Sequence, residues 1–172
     1  MGNTAMPDTI LILGVGNVLW ADEGFGVRCV EALAEAFEFP DHVRLVDGGT
    51  RGIALLDEME GTARMLLFDA VDYGLEPGSL RLIAGEEIPR FIASGKLSLH
   101  QTGFQDVLAY AQIAGILPPE IQLIGVHPAV LDDYGGDLSG PVKAQLPNAI
   151  AMARSILAEW GAQARSRDNA QD

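Results

Sequence analysis

The sequence predicts one α/β domain, a twisted and mainly parallel sheet flanked by helices on both faces. Three observations predict it. Apolar runs of strand length alternate with segments of helical period, the pattern of right-handed βαβ units. Each of the first three runs leads to an acidic residue: Ile10-Leu-Ile-Leu-Gly to Glu23, Val43-Arg-Leu-Val to Asp47, and Met65-Leu-Leu-Phe to Asp69. If those runs pair in parallel, the three carboxylates emerge along one edge of the sheet, where open α/β folds build their sites. Finally, 172 residues at 48% apolar composition build a sizeable core without a disulfide or a second domain.

Residues 9–15 form a continuous apolar run closed by Gly14-Val-Gly16-Asn17, as expected of a buried parallel strand and its turn. Asp22 is expected to cap a helix carrying Val27, Val30, Leu33, Ala34 and Phe37, with Pro40 beyond its end. Residues 43–47 then predict a strand, 53–59 a short helix and 63–70 a third strand. After Pro77-Gly78, Ser79-Leu-Arg-Leu-Ile alternates like an edge or antiparallel strand, whereas 85–100 shows no legible pattern. Phe104, Val107, Leu108, Ala111 and Ala114 space as a helix ending at Gly115 and Pro118, and 121–126 predicts another strand. Val142, Leu146, Ile150, Ala153, Leu157 and Trp160 predict one last helix from near Ser139 to Gly161. The domain is therefore expected to span 1–161, with 162–172 a disordered tail.

Twenty-four acidic against eleven basic residues give a net charge of -13, which repels the phosphates of nucleic acid. No apolar run is long enough to cross a membrane, and the first residues lack the basic and apolar blocks of a secretion signal. A cytoplasmic location without membrane insertion is the expectation. The lone Cys29 lies on the Val- and Leu-rich helix and reads as a small packed core residue.

Gly14-Val-Gly16 after the first strand resembles a dinucleotide fingerprint, but position 19 is Leu rather than the third glycine. Asp22 and Glu23 would also face an incoming pyrophosphate, which disfavours nucleotide binding. Metal ligation or acid/base chemistry accounts better for the edge carboxylates, because a cation relieves their mutual repulsion. His100, in Leu97-Ser-Leu-His100-Gln-Thr, adds an imidazole at a loop-to-helix junction. Two carboxylates and one imidazole suit zinc, nickel or a similar divalent ion.

Bland alternatives stand beside each assignment. Glu23 serves equally as a first-turn carboxylate on a helix dipole, and His100 as a hydrogen-bonded histidine at a helix start. Asp69 favours a functional role, since a carboxylate directly after Leu-Leu-Phe is costly to bury without a partner. Asp47-Gly48-Gly49-Thr50 is either a simple turn or a loop whose exposed backbone receives a substrate segment. His127 ends a strand and competes with His100 as the imidazole of the site, while Pro128 behind it suggests a loop-positioning role. The acidic, glycine-containing 132–137 loop is either solvated or the rim of a recognition surface. The helical histidine motif of common zinc proteases is missing, and no serine or cysteine nucleophile is evident.

In this order, Gly14-Val-Gly-Asn17, Asp22-Glu23-Gly24 with Gly26-Val27, Asp47-Gly-Gly-Thr50, Asp69-Ala70 and Ser98-Leu-His100-Gln101 resemble the nickel-iron hydrogenase maturation endopeptidases. The resemblance runs from about residue 10 to residue 160. Trp20-Ala-Asp-Glu-Gly-Phe-Gly, Asp72-Tyr-Gly-Leu-Glu-Pro-Gly and Leu131-Asp-Asp-Tyr-Gly-Gly look like the subgroup that processes uptake, membrane-bound hydrogenases. It implies a peptidase that removes the C-terminal extension of the hydrogenase large-subunit precursor after nickel insertion. It also implies that Glu23, Asp69 and His100 bind a divalent metal, the nickel presented by that precursor, for which zinc or cadmium substitutes. Asp47, with Gly48, Gly49 and Thr50, carries over as the loop for substrate recognition or cleavage. Whether Asp47 or Asp69 acts as catalytic base, or the metal breaks the bond, stays open between an aspartyl protease and a metalloprotease. A non-catalytic assembly chaperone and a nucleotide-binding module are the rival functions.

Overall fold

The computed structural model describes residues 8–94 and 104–168. His100 and Gln101 therefore lie outside the described residues. β1 (Ile10–Val15) is buried at every position, and its chain passes through a 3-10 turn (Ala21–Gly24) into α1 (Phe25–Ala36). A two-residue strand β2 (Phe37–Glu38) precedes β3 (Val43–Gly49). A second 3-10 turn (Gly52–Ala54) and α2 (Leu55–Met59) lead to β4 (Arg64–Ala70). β5 (Leu80–Ala84), α3 (Glu87–Ala93), α4 (Phe104–Ala114) and β6 (Glu120–Val126) follow. α5 (Gly140–Lys143), α6 (Leu146–Glu159) and β7 (Arg165–Ser166) complete the chain.

The main sheet has the order β3-β1-β4-β6-β5. β1 pairs in parallel with β3 and β4, β4 pairs in parallel with β6, and β5 closes the edge antiparallel to β6. Alternation along the strands sends successive side chains to opposite faces. Ile10, Ile12, Leu66, Phe68 and Ile124 pack against α1 and α6, whereas Leu11, Leu13, Met65, Leu67 and Leu123 pack against α2, α3 and α4. The predicted doubly covered, mainly parallel sheet is the observed one.

α1 sits on the sheet with almost no gap. A Cβ placed on Gly26 would fall 2.3 Å from the Phe68 carbonyl oxygen and 2.4 Å from that of Val15, so only glycine lets the first turn of α1 touch β1 and β4. The contact buries Phe25, Val27, Cys29, Val30 and Leu33. Cys29 is fully buried as a packed residue, and desolvation pushes its thiol well above its usual pKa.

Three expectations need correction, and one stretch that carried none takes on structure. Asp22 does not cap α1, which begins after Gly24 with no side-chain cap, because the Asp22 carboxylate is engaged elsewhere. The final helix is split into α5 and α6, since Pro147 cannot donate a backbone hydrogen bond and sits in the first turn of a new helix. Within the illegible 85–100 stretch, α3 forms with Ile88 and Ile92 as its buried face, too short a pattern to stand out in sequence. The expected disordered tail is ordered as far as it is described: Ala162 is fully buried, β7 pairs with β2, and Arg167 donates to the Ala34 carbonyl and to Glu38. Residues 169–172 lie outside the described residues.

Gly26→Ala should lower unfolding stability in urea by about 2–3 kcal/mol or prevent folding, because the methyl meets two backbone carbonyls that cannot yield.

Candidate active site

The strand order makes the carboxyl ends of β1 and β4 a topological switch point. From β1 the chain turns through α1 toward β3, while from β4 it departs toward β5 and β6 on the other side. Loops that diverge in this way open a crevice between two adjacent strands, the usual ligand position in such sheets. Glu23 and Asp69 lie there.

Gly16, at φ +126°, turns the chain back so tightly that a Cβ on it would lie 1.8 Å from the Glu23 carbonyl oxygen. The 3-10 turn that carries Glu23 thus rests against β4, and Glu23 is only 3% exposed. Asp69 is fully buried at the end of β4, on the face it shares with Met65 and Leu67, and its Oδ1 accepts the Ala70 amide at 2.9 Å. Two buried carboxylates at one crevice suit a divalent cation, whose charge offsets the cost of keeping both ionised away from water. Among the described residues, no three His, Cys, Asp or Glu side chains cluster closely enough to hold a metal; His100 lies outside them.

Asp22 anchors this crevice. It is fully buried, its Oδ2 accepts the amides of Ala129 and Val130 and the Ser139 hydroxyl at 2.8 Å each, and its Oδ1 accepts the Ser139 amide at 2.7 Å. Its own amide donates to the Val130 carbonyl at 3.0 Å. The loop after β6 is thereby tied to the residue next to Glu23. Further along, Gly135 donates to the Leu19 carbonyl at 2.7 Å, and Tyr134 meets Trp20 edge-on at 5.1 Å. The acidic 132–137 loop is consequently clipped to the 17–20 turn, with Leu19 and Tyr134 exposed at its surface. At its end the Lys143 ammonium, then the Leu138 amide, hold the exposed Asp137 carboxyl below its usual pKa.

Asp47 stands apart from the buried pair. It is exposed at the end of the edge strand β3, opposite Gly14 of β1. The register slips between Gly14 and Val15, so that Gly48 bulges against Leu13 and Gly49 turns at φ +42°. That bulge re-aims Asp47, while Thr50 is exposed beyond it. His127 is engaged through its other groups: its Nδ1 accepts the Tyr73 amide at 3.1 Å, and its backbone bonds Gly78 and Ser79. An Nδ1 that accepts carries no proton, so its 3.8 Å approach to Asp72 is not an ion pair in that state. Of the two roles open to His127, positioning the 72–79 loop is the one observed.

Sequence reasoning missed the role of Asp22, which it assigned to a cap, and passed over Tyr73. For Asp22 the only available signal was a second carboxylate beside Glu23; its partners lie more than a hundred residues away.

The fold is thus an α/β sheet with the buried carboxylates Glu23 and Asp69 at its switch point and Cys29 packed in the core. Residues 27–156 match the family model described as hydrogenase maturation protease, and the chain belongs to that family of peptidases. The hydrogenase expression/formation protein HupM of Azotobacter chroococcum mcd 1 is 55% identical over 165 residues, covering 96% of this chain and 79% of its own length. The hydrogenase 2 maturation protease of Escherichia coli (strain K12) is 38% identical over 164 residues, covering 95% of this chain and 99% of its own. The solved structure of the hydrogenase maturating endopeptidase HybD from E. coli superposes with a TM-score of 0.85 at 37% identity, over 94% of this chain and 99% of that one. No helix among the described residues is long and apolar enough to cross a membrane.

Asp22→Ala strands two loop amides and the Ser139 pair without an acceptor. Unfolding in urea should show a loss of about 3 kcal/mol or more.

Proposed function

We propose that this peptidase acts in the cytoplasm on the nickel-iron hydrogenase large-subunit precursor, removing its C-terminal extension once nickel is in place. The observation that carries the reading is the burial of Glu23 and Asp69 together at the switch point, in a chain of the maturation protease family. A precursor that carries its nickel into the crevice brings a divalent cation to these carboxylates, whereas an empty precursor does not. In this reading Glu23, Asp69 and His100 are the ligands, and the ion is the recognition signal for cleavage. Such an ion polarises a carbonyl or acidifies a bound water. The homologous names fit: of the relatives described above, one is called a hydrogenase expression/formation protein and the other a hydrogenase 2 maturation protease.

Asp47 suits a different task. Being exposed at the rim of the same sheet edge, it is available to take a proton from attacking water. Asp69, fully buried, is better suited to holding the ion than to exchanging protons with solvent.

The test is mass measurement of purified precursor after incubation, nickel-loaded against nickel-free. A shortened product should form only from the loaded form; equal processing of both would remove metal gating, and stable binding without a released peptide would favour an assembly chaperone. Glu23→Gln and Asp69→Asn should each slow release by about 100-fold or more, as loss of a ligand exceeds the cost of losing its supporting partner. Asp47→Asn should slow the rate by about 10²–10⁴-fold with nickel uptake intact, the range of general-base removal.

A further inference from the structure

Tyr73 lies three residues beyond β4, hung by its backbone amide from His127 Nδ1 at 3.1 Å and with its ring 6.1 Å from that of Phe91 in α3. Its side chain is half-buried, yet its hydroxyl is sealed from solvent and has no hydrogen-bond partner among the described residues. The hydroxyl occupies the place of a missing side chain: a Cβ on Gly125 would lie 2.3 Å from Tyr73 Oη. Gly125 is the register partner of Asp69 across the β4–β6 pair, so the two project to the same face of the sheet. Adjacent strands are separated by about 5 Å, which sets the phenol beside the Asp69 carboxylate.

A phenylalanine would fill this space equally well and would spare the burial of an unsatisfied oxygen. Retention of the hydroxyl therefore points to a partner acquired when the site is loaded. We propose that Tyr73 is a positioning residue for the site, its hydroxyl donating to the Asp69 carboxylate when that carboxylate takes up a divalent cation. The inference rests on the assignment of Asp69 as a ligand made above. Carboxylates that ligate metals are themselves held by outer hydrogen bonds, which fix their orientation on the ion. Burial, and then the negative charge of Asp69, push the Tyr73 phenol pKa up, with Arg81 acting in the opposite sense, so the hydroxyl remains a donor. Phe91 and the His127 bond hold the ring at this place before any ion arrives.

The experiment titrates the full chain with Ni²⁺ in a calorimeter and follows its thermal melting without metal, comparing wild type, Tyr73→Phe and the exposed-site control Tyr110→Phe. Tyr73→Phe should bind Ni²⁺ about 10–100-fold more weakly and melt at the same or a higher temperature, and Tyr110→Phe should change neither. A lowered melting temperature with unchanged affinity would assign the hydroxyl to the fold and overturn the proposal, as would a variant identical to wild type in both. If the wild type takes up no Ni²⁺, the ligand assignment itself fails and this inference falls with it.

Discussion

The bare backbone contact at Gly26 is the constraint on which the rest of the structure depends. With no side chain between them, the first turn of α1 presses onto the carbonyls of Val15 and Phe68, the ends of the two central strands. Everything immediately upstream is then fixed in place. The 3-10 turn has nowhere to go but over β4, and its carboxylates are delivered to the crevice by packing rather than by a flexible loop. A site built this way loses little entropy when it binds, because its groups are already held.

Asp22 and Glu23 divide the work of two adjacent carboxylates. One is consumed by four hydrogen bonds that tie the loop after β6 to the turn after β1, and the other faces the switch point. His127 repeats the division on the far side, its ring nitrogen fixing the loop after β4 that carries Tyr73. The loops of three adjacent parallel strands are thus cross-braced by the Asp22 and His127 side chains. Asp47, on a bulged edge strand outside this bracing, is the group left exposed to an incoming chain.

The sheet, its parallel strands and their helices on both faces were legible because buried parallel strands read as unbroken apolar runs, and α1 and α4 repeat at helical spacing. The convergence of Glu23 and Asp69 followed from topology alone, since strand ends in a βαβ series share an edge. Where sequence reasoning fell short, the deciding contact was distant or the signal too brief. Asp22 has the composition of a cap and is drawn away by partners from 129 to 139. The single helix expected from Ser139 keeps its apolar spacing through Pro147, which periodicity does not register but backbone hydrogen bonding does. Residues 165–166 have no hydrophobic pattern at all, because their order comes from main-chain pairing with 37–38. Tyr73 reads as an ordinary loop aromatic until the glycine beneath it, fifty-two positions on, is brought into register with Asp69.

That register has a consequence in time. Glu23 and Asp69 reach the same sheet edge only after β1 has paired with β4, across a loop that runs from Ile10 to Arg64, and the brace on Asp22 waits for the chain from residue 129 onward. Contacts so far apart form late in folding, after the entropy of closing long loops has been met. A nascent or partly folded chain consequently holds these acidic groups apart. The crevice between β1 and β4 therefore exists only once the central strands of the sheet have paired.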